Sequence, residues 1–133
     1  MARLVARKGT GEVAHLLSSS SSGVTSIYLG NGTGQFTFQS GLINPLDITV
    51  FDLVADLNGD GIPDIAALAG DSVQIFLGMG RATYATPFYI GTGPAPFEIL
   101  VENLHGQSPS AGLPDIVEPD QSGGVTVLIN KTK

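Results

Sequence analysis

Four oxygen-bearing side chains are concentrated in the nine-residue sequence DLNGDGIPD near the middle of the chain. They occupy positions 1, 3, 5 and 9 of this segment and belong to Asp56, Asn58, Asp60 and Asp64. Ca²⁺ prefers about six to eight oxygen ligands in a flexible cage. The spacing therefore predicts a calcium loop, in which the backbone carbonyl of Ile62 supplies a further ligand.

The charge and backbone freedom of this loop also favour a cation. Neighbouring carboxylates repel each other by about 1 kcal/mol in water, and a divalent cation reverses the sign of that interaction. Gly61 at position 6 can adopt a positive φ, which a sharp turn around an ion requires. A solvated turn is the alternative interpretation, because Asp, Asn and Gly also favour turns.

The residues on either side distinguish this loop from an EF-hand. An EF-hand has flanking helices and a Glu at position 12, where this chain has Ala67. Apolar and β-branched residues precede the loop at Ile48–Val54 and follow it at Ile65–Leu68. The loop is therefore predicted to connect two β-strands.

A pattern of about 50 residues repeats along the chain, as in β-propeller blades. The segments 24–30, 72–78 and 124–130 resemble one another and begin 48 and 52 residues apart. The predicted strands are 2–6, 12–17, 24–30, 35–39, 48–54, 65–68, 72–77, 83–90, 97–102, 115–118 and 125–130.

The order strand, DxNxDGxPD, strand, FLGxG resembles the FG-GAP/VCBS repeat of integrin α-subunit propellers and secreted bacterial proteins. The motifs are Asp56–Asp64 and Phe76–Gly80, with Gly93-Pro94 before the next unit. The resemblance extends from about Glu12 onward and is most specific in the middle unit. It implies four-stranded antiparallel blades, a Ca²⁺ loop between the first two strands of a blade, and an extracellular or cell-surface location. It implies no single function.

The predicted fold is therefore all-β, with about two and a half to three FG-GAP/VCBS-type propeller blades in one domain. Blade 1 covers about 1–43 and is partial, blade 2 covers about 44–92, and blade 3 covers about 93–133 without its last strand. Propellers close with about four to eight blades, so this chain is not expected to close on its own.

The third unit contains a degenerate copy of the metal loop. Asn103, His105 and Gln107 align with the first three ligands, and a four-residue insertion precedes Asp115. Two carboxylates are replaced by amides and Asn58 is replaced by a histidine, so this loop is predicted to be empty. The first unit offers one carboxylate, that of Glu12.

Composition limits the classes of partner. The chain has 133 residues, a net charge of −6, 14% charged residues and no cysteine. Between Gly9 and Asn130, twelve acidic residues face the single cation Arg81. This balance argues against nucleic acid, which is bound through Lys and Arg. No apolar run reaches the length of about 20 residues that a membrane span needs.

Two Asn-x-Thr triplets, at Asn31 and Asn130, are candidate glycosylation sites. Asn31-Gly32 equally matches a hairpin turn. Enzymatic chemistry finds little support, because His15 and His105 belong to different units and the Ser18–Ser22 run lacks a GxSxG context. A non-catalytic protein is predicted.

The incomplete blades lead to the functional prediction. The chain starts without the apolar region of a secretory signal, so either a signal has been removed or the sequence is part of a longer product. An unclosed array exposes strand edges, which can be covered in a ring or a head-to-tail fibre of copies. A segment such as Ala2–Ala6 could be donated to a neighbouring copy.

The predicted function is a calcium-binding extracellular structural or adhesive module that self-assembles. The alternatives are a lectin or protein-ligand-binding propeller module, and an accessory domain of a larger secreted protein. The absence of Trp argues against a sugar-stacking site.

Overall fold

The computed structural model describes residues 2–5, 15–19, 24–43, 52–104 and 113–131. The described residues form β-strands and no helices, which confirms the predicted all-β class. The strands are β1 (Ala2–Val5), β2 (His15–Ser19), β3 (Val24–Gly30), β4 (Phe36–Ile43), β5 (Asp52–Ala55), β6 (Asp64–Leu68), β7 (Ser72–Phe76), β8 (Phe88–Gly91), β9 (Leu100–Glu102), β10 (Asp115–Pro119) and β11 (Val125–Leu128).

These strands form three antiparallel sheets, each built from strands that are consecutive in sequence. Sheet 1 has the order β1-β2-β3-β4, sheet 2 the order β5-β6-β7-β8, and sheet 3 the order β9-β10-β11. None of the sheets closes on itself within the described residues. Because Ala2–Val5 pairs with His15–Ser19 in sheet 1, the segment predicted as a donated strand is used inside its own chain.

Strand boundaries differ from the prediction where the backbone turns. The predicted strand 83–90 is reduced to β8, which is preceded by an isolated bridge between Gly78 and Tyr84. Arg81 and Ala82 have φ values of 53° and 56°, which are outside the β region. Pro87 directly precedes β8 and cannot donate to a sheet ladder. The predicted residues 12–14 and 48–51 lie outside the described part of the chain.

Sheet 2 is covered on both faces because successive side chains of a strand point to opposite sides. On one face, Ile65 and Phe76 pack with Ile27 of sheet 1. On the other face, Ala66 and Ile75 belong to a cluster with Ile116 of sheet 3. The described sheets therefore stack in chain order, with an apolar layer between each neighbouring pair.

The first strands of the sheets lie beside one another at one side of this stack. β1 approaches β5, and β5 approaches β9. The loop from Asp56 to Pro63 leaves β5 at this side and leads into β6. The predicted metal loop thus starts from a strand that is neighboured by both other sheets.

Candidate cation site

The loop between β5 and β6 contains four of the five residues predicted as cation ligands, and the fifth, Asp64, is the first residue of β6. Gly59 and Gly61 both have a φ of 83°, a conformation that side chains with a Cβ rarely adopt. Asp56, Asn58 and Ile62 are half-buried, whereas Asp60 is exposed. The two glycines let the backbone wind tightly enough for side chains at alternate positions to turn inward.

The loop side chains hold this winding through hydrogen bonds to loop backbone. Gly59 N and Gly61 N donate to the two carboxylate oxygens of Asp56 at 2.7 and 2.9 Å. Ile62 N donates to Asp60 Oδ1 at 2.7 Å, and Asp60 N donates to Asn58 Oδ1 at 3.0 Å. The Nδ2 amide of Asn58 donates to Asp60 Oδ2 at 2.9 Å. The side-chain oxygen atoms of the loop therefore accept hydrogen bonds from the loop itself and hold its backbone in the turn.

Asp64, at the start of β6, is fully buried and bonds to two separate segments. Leu57 N donates to its Oδ2 at 2.8 Å, and Gly78 N donates to its Oδ1 at 2.7 Å. Burial raises the pKa of Asp64, the two backbone N–H groups oppose that rise, and the charges of Asp60 and Asp56 add to it. The ionised form of Asp64 is thus held at an electrostatic cost, which a bound cation would relieve.

The donor chemistry of this loop fits a hard cation. Its groups are three carboxylates, one side-chain amide and a backbone carbonyl, all of which provide the oxygen ligands that Ca²⁺ prefers. Among the described residues, no three acidic or histidine side chains already converge as a metal cluster. Asn58 and Asp60 would therefore exchange their mutual hydrogen bond for contacts to the ion.

Gly78 is required for the close approach of β7 to the loop. An ideal Cβ at this position would overlap the carbonyl oxygen of Pro63 and lie 2.7 Å from Cγ2 of Ile62. Only a glycine lets its N–H reach Asp64 at this distance. The glycine of the FLG sequence thus has a packing role that the motif alone did not identify.

Sheet 3 repeats this arrangement without the charged loop. Asp115 starts β10 and is fully buried, like Asp64. Leu104 N donates to its Oδ2 at 3.0 Å, and Asn130 N donates to its Oδ1 at 2.8 Å. Asn103 is exposed, whereas His105 and Gln107 lie outside the described residues, so the prediction of an empty loop stays a prediction. Asp115 therefore makes the same two kinds of backbone contact as Asp64, although its loop lacks the full set of oxygen ligands.

Asn130 connects the candidate cation loop to sheet 3. Its Nδ2 donates to the backbone carbonyl of Leu57 at 2.6 Å and to that of Pro114 at 3.1 Å. A Cβ built on Gly59 would lie 3.0 Å from Leu113, which places the tip of the loop against the same segment. The loop is thus packed against sheet 3 as well as anchored in sheet 2.

The two candidate glycosylation sites differ in their contacts. Asn31 is exposed in the turn after β3, where its Oδ1 accepts from Thr33 N at 2.9 Å. Asn130 uses both hydrogens of its side-chain amide in the contacts described above. Asn31 Nδ2 also donates to Gln35 Oε1, at 3.1 Å, but this bond is exposed within one turn. A glycan on Asn130 would instead disturb the bonds that join the cation loop to sheet 3, so the surroundings of Asn31 are more favourable.

A cavity of about 350 Å³ lies beside the cation loop, between sheets 2 and 3. Its lining is mainly apolar and consists of Leu57, Asn58, Ile75, Leu77, Phe88, Ile90, Pro114, Ile116, Leu128, Ile129, Asn130 and Lys131. Asn58 is both a cavity-lining residue and a candidate ligand. β11 is an edge strand of sheet 3 within the described residues, and its unpaired edge borders this cavity.

Glu118 is a buried carboxyl group that the sequence did not single out. It is 1% exposed, lies on the side of β10 facing sheet 2, and neither of its oxygens has a hydrogen-bond partner of normal geometry. Burial raises its pKa, the nearby Thr92 hydroxyl lowers it, and the charges of Asp120 and Asp71 raise it. The Thr92 hydroxyl itself donates to Gly93 O at 3.3 Å. Alternation along β10 could have predicted the burial of Glu118, but not its surroundings.

Comparison of the chain with family models, curated proteins and solved structures finds no match. The resemblance to FG-GAP/VCBS repeats therefore depends on the motifs of this chain alone. The described residues include no helix with the length and apolar character needed to cross a membrane. The geometry of the loop and the stacking of the sheets remain as the basis for a functional proposal.

Proposed function

We propose that this protein is a non-catalytic, calcium-binding structural module that self-assembles outside the cell. Asp56, Asn58, Asp60 and Asp64 bind Ca²⁺ together with the carbonyl oxygen of Ile62. The observation that carries the proposal is the position of this oxygen-rich loop, which is anchored to sheet 2 through Asp64 and to sheet 3 through Asn130. A cation bound there stabilises the contact between the two sheets.

The arrangement of the sheets supports an FG-GAP/VCBS-type propeller interpretation. Each sheet is a meander of consecutive strands, and the first strands β1, β5 and β9 follow one another along one side. This is the order expected for propeller blades, whose first strands line a central axis. Three such sheets do not complete a ring, which favours further copies or further blades.

The physical role of the ion is to favour the folded form. Extracellular calcium modules bind with a Kd of about 10⁻⁴–10⁻³ M. A ligand at a hundred times its Kd stabilises the folded state by about 2.7 kcal/mol when it binds that state alone. A site with an affinity in this range is filled in millimolar calcium, the condition that the proposed extracellular location would provide.

Calcium titration by isothermal calorimetry tests the proposal. Asp60→Asn removes an exposed loop carboxylate and is expected to weaken calcium binding by about tenfold or more, because one charged ligand becomes a neutral amide. Glu102→Gln, an exposed substitution with the same charge change on β9, is the matched control and should leave affinity unchanged. Wild-type protein that takes up no Ca²⁺ at millimolar concentration would contradict the proposal.

Sedimentation velocity with calcium and after chelation tests self-assembly separately. We expect larger species with calcium and a shift towards monomer after chelation, because the loop stabilises the sheet stack. A single monomeric species under both conditions, at high protein concentration, would contradict the assembly part of the proposal while leaving calcium binding intact.

A further inference from the structure

The outer face of sheet 3 is an exposed apolar surface. Ile116 and Leu128 pack towards sheet 2, so the neighbouring side chains of β10 and β11 point the other way. Val125 and Val127 are 63% and 41% exposed. Cross-strand pairing places Leu100, Val117 and Val127 in one row, and Leu100 is 43% exposed. We name this surface the tail face and define it by Leu100, Val117, Val125 and Val127.

The outer face of sheet 1 is also apolar, but it is aromatic rather than aliphatic. Ile27 packs against sheet 2, whereas Tyr28 is paired with Phe38 and contacts it edge-to-face, with ring centroids 5.7 Å apart. Phe38 is 58% exposed, and Phe36, two residues earlier on the same side of β4, is 37% exposed. We name this surface the head face and define it by Tyr28, Phe36 and Phe38.

These two faces contrast with the inner faces of the same sheets. Ile65 and Ile75, on opposite faces of sheet 2, are 1% and 2% exposed because a neighbouring sheet covers each side. Sheets 1 and 3 each have one side covered in this way. Exposed apolar patches on soluble proteins mark interaction sites. We therefore expect each outer face to bind another sheet surface, as the inner faces do.

A second copy of the chain has surfaces suited to cover these faces. Its head face and tail face are sheet surfaces of the type that already pack against each other twice within one chain. The residues that define the two faces are uncharged, whereas the whole chain has a net charge of −6. The exposed Glu102 lies at the margin of the tail face, on the same side of β9 as Leu100. Two like-charged copies can therefore meet through the uncharged residues of these faces with Glu102 left at the rim. A contact between two different surfaces repeats from copy to copy and gives a ring or a filament.

We propose that the tail face of one copy packs against the head face of the next, so that the sheet stack continues across the boundary between copies. This inference rests on the proposed self-assembly and names the surfaces that carry it. The flat rings of Phe36 and Phe38 cover the β-branched side chains of Val125 and Val127. Sheet–sheet contacts of this kind are about 10 Å thick and interdigitate.

Two single substitutions test the pairing of the faces. Val127→Asp blocks the tail face and Phe38→Asp blocks the head face, each by placing a charge in an apolar contact. Each variant alone is expected to weaken self-association in calcium by at least about tenfold in Kd, as for a central interface residue. Met79→Asp is the matched control, since Met79 is 60% exposed in the turn between β7 and β8 and belongs to neither face.

An equimolar mixture of the two variants gives the decisive result. The intact head face of the Val127→Asp protein can still bind the intact tail face of the Phe38→Asp protein. The mixture should therefore form dimers that do not grow further, whereas each variant alone stays monomeric. The circular dichroism spectrum and melting temperature of each variant establish that it is folded.

Cysteine crosslinking provides a second measurement that does not introduce charge. The chain has no native cysteine, so Phe38→Cys and Val127→Cys each carry one thiol. Mild oxidation of their mixture should give more crosslinked dimer than oxidation of either variant alone.

The outcomes separate this inference from the proposed function. Wild-type assembly that persists in both Asp variants and gives no preferential crosslink would overturn the face pairing, while self-assembly itself would stand. Weakening by Val127→Asp alone would indicate a symmetric tail-to-tail contact and also overturn it. A monomeric wild type in calcium would overturn both proposals.

Discussion

Substitution of Asp64 and of Asp115 by Asn separates the fold-stabilising role of this aspartate from calcium binding. Both side chains are fully buried, and each accepts two backbone N–H bonds. We predict that the two substitutions have similar effects without calcium and different effects with it. Asp64 lies in the charged loop, whereas Asp115 follows a loop whose described ligand position, Asn103, is neutral.

The cost without calcium follows from the lost hydrogen bonds. Asn keeps one acceptor oxygen and turns its amide donor towards the second backbone N–H. Losing one hydrogen bond to a charged group costs about 1.5–3 kcal/mol. For Asp64, removal of the buried charge offsets part of this loss, because burial already raises its pKa. Asp64→Asn should therefore fall at the lower end of that range and Asp115→Asn within it.

The calcium increment separates the two variants. With a Kd of about 10⁻⁴–10⁻³ M, an ion concentration of about 10 mM stabilises the folded state by about 1.4–2.7 kcal/mol. The wild type and Asp115→Asn should gain this increment, whereas Asp64→Asn should lose most of it. Urea unfolding in chelator and in calcium measures both quantities for each protein.

Three results would refute this reasoning. An equal calcium increment in Asp64→Asn and the wild type would exclude Asp64 as a ligand. Loss of the increment in Asp115→Asn would show that sheet 3 must be intact for the ion to bind. Unchanged stability of Asp115→Asn in chelator would refute the structural role assigned to the buried aspartate.

Three further predictions follow from local contacts. Burial raises the pKa of Glu118 in the folded state, so its ionisation destabilises the protein most above the folded-state pKa and least below the unfolded-state pKa. Glu118→Met should therefore stabilise the protein by about 1–3 kcal/mol at pH 7. In urea unfolding curves this gain should shrink as pH falls through the folded-state pKa, and it should be smallest below the unfolded-state pKa of 4.5. Gly78→Ala should lower the melting temperature because its Cβ would overlap Pro63, whereas Gly91→Ala, which has nothing within 4 Å, should change it little. Asn130→Ala should cost about 1–2 kcal/mol in urea unfolding and weaken calcium binding in calorimetry, because it leaves the Leu57 carbonyl without the bond that joins loop and sheet 3.

The sequence was sufficient to predict the all-β class and most of the strands, because alternation and turn residues act locally. The predicted segment 24–30 is β3, and 72–77 differs from β7 by one residue at its end. The segment 83–90 was misjudged, since the left-handed backbone of Arg81 and Ala82 and the proline before β8 outweigh its apolar content. Blade type is not decided by local pattern, since it depends on how the sheets are arranged in space.

The oxygen-rich loop of the candidate site could be identified from the sequence, but its contacts with the other sheets could not. The spacing from Asp56 to Asp64 identifies a loop rich in oxygen donors. No local rule indicates that Asn130, 73 residues from Leu57, donates to that residue's carbonyl. The repeat offered a signal, because Asn130 aligns with Gly78, the residue whose N–H bonds to Asp64. Its side chain, however, makes contacts that glycine cannot make, and sequence alignment does not reveal them.

Asp64 and Asp115 make the same kind of contact in two sheets whose preceding loops differ in charge. The buried aspartate joins the loop to the end of the third strand of its sheet, through Gly78 in one case and Asn130 in the other. The remaining ligand positions lie in the loop itself and contribute charge that is costly without an ion. The fold therefore depends on the aspartate, whereas the proposed cation site depends on the loop. Calcium dependence should therefore be confined to the sheet 2 loop, with sheet 3 stabilised through Asn130 when that loop is occupied.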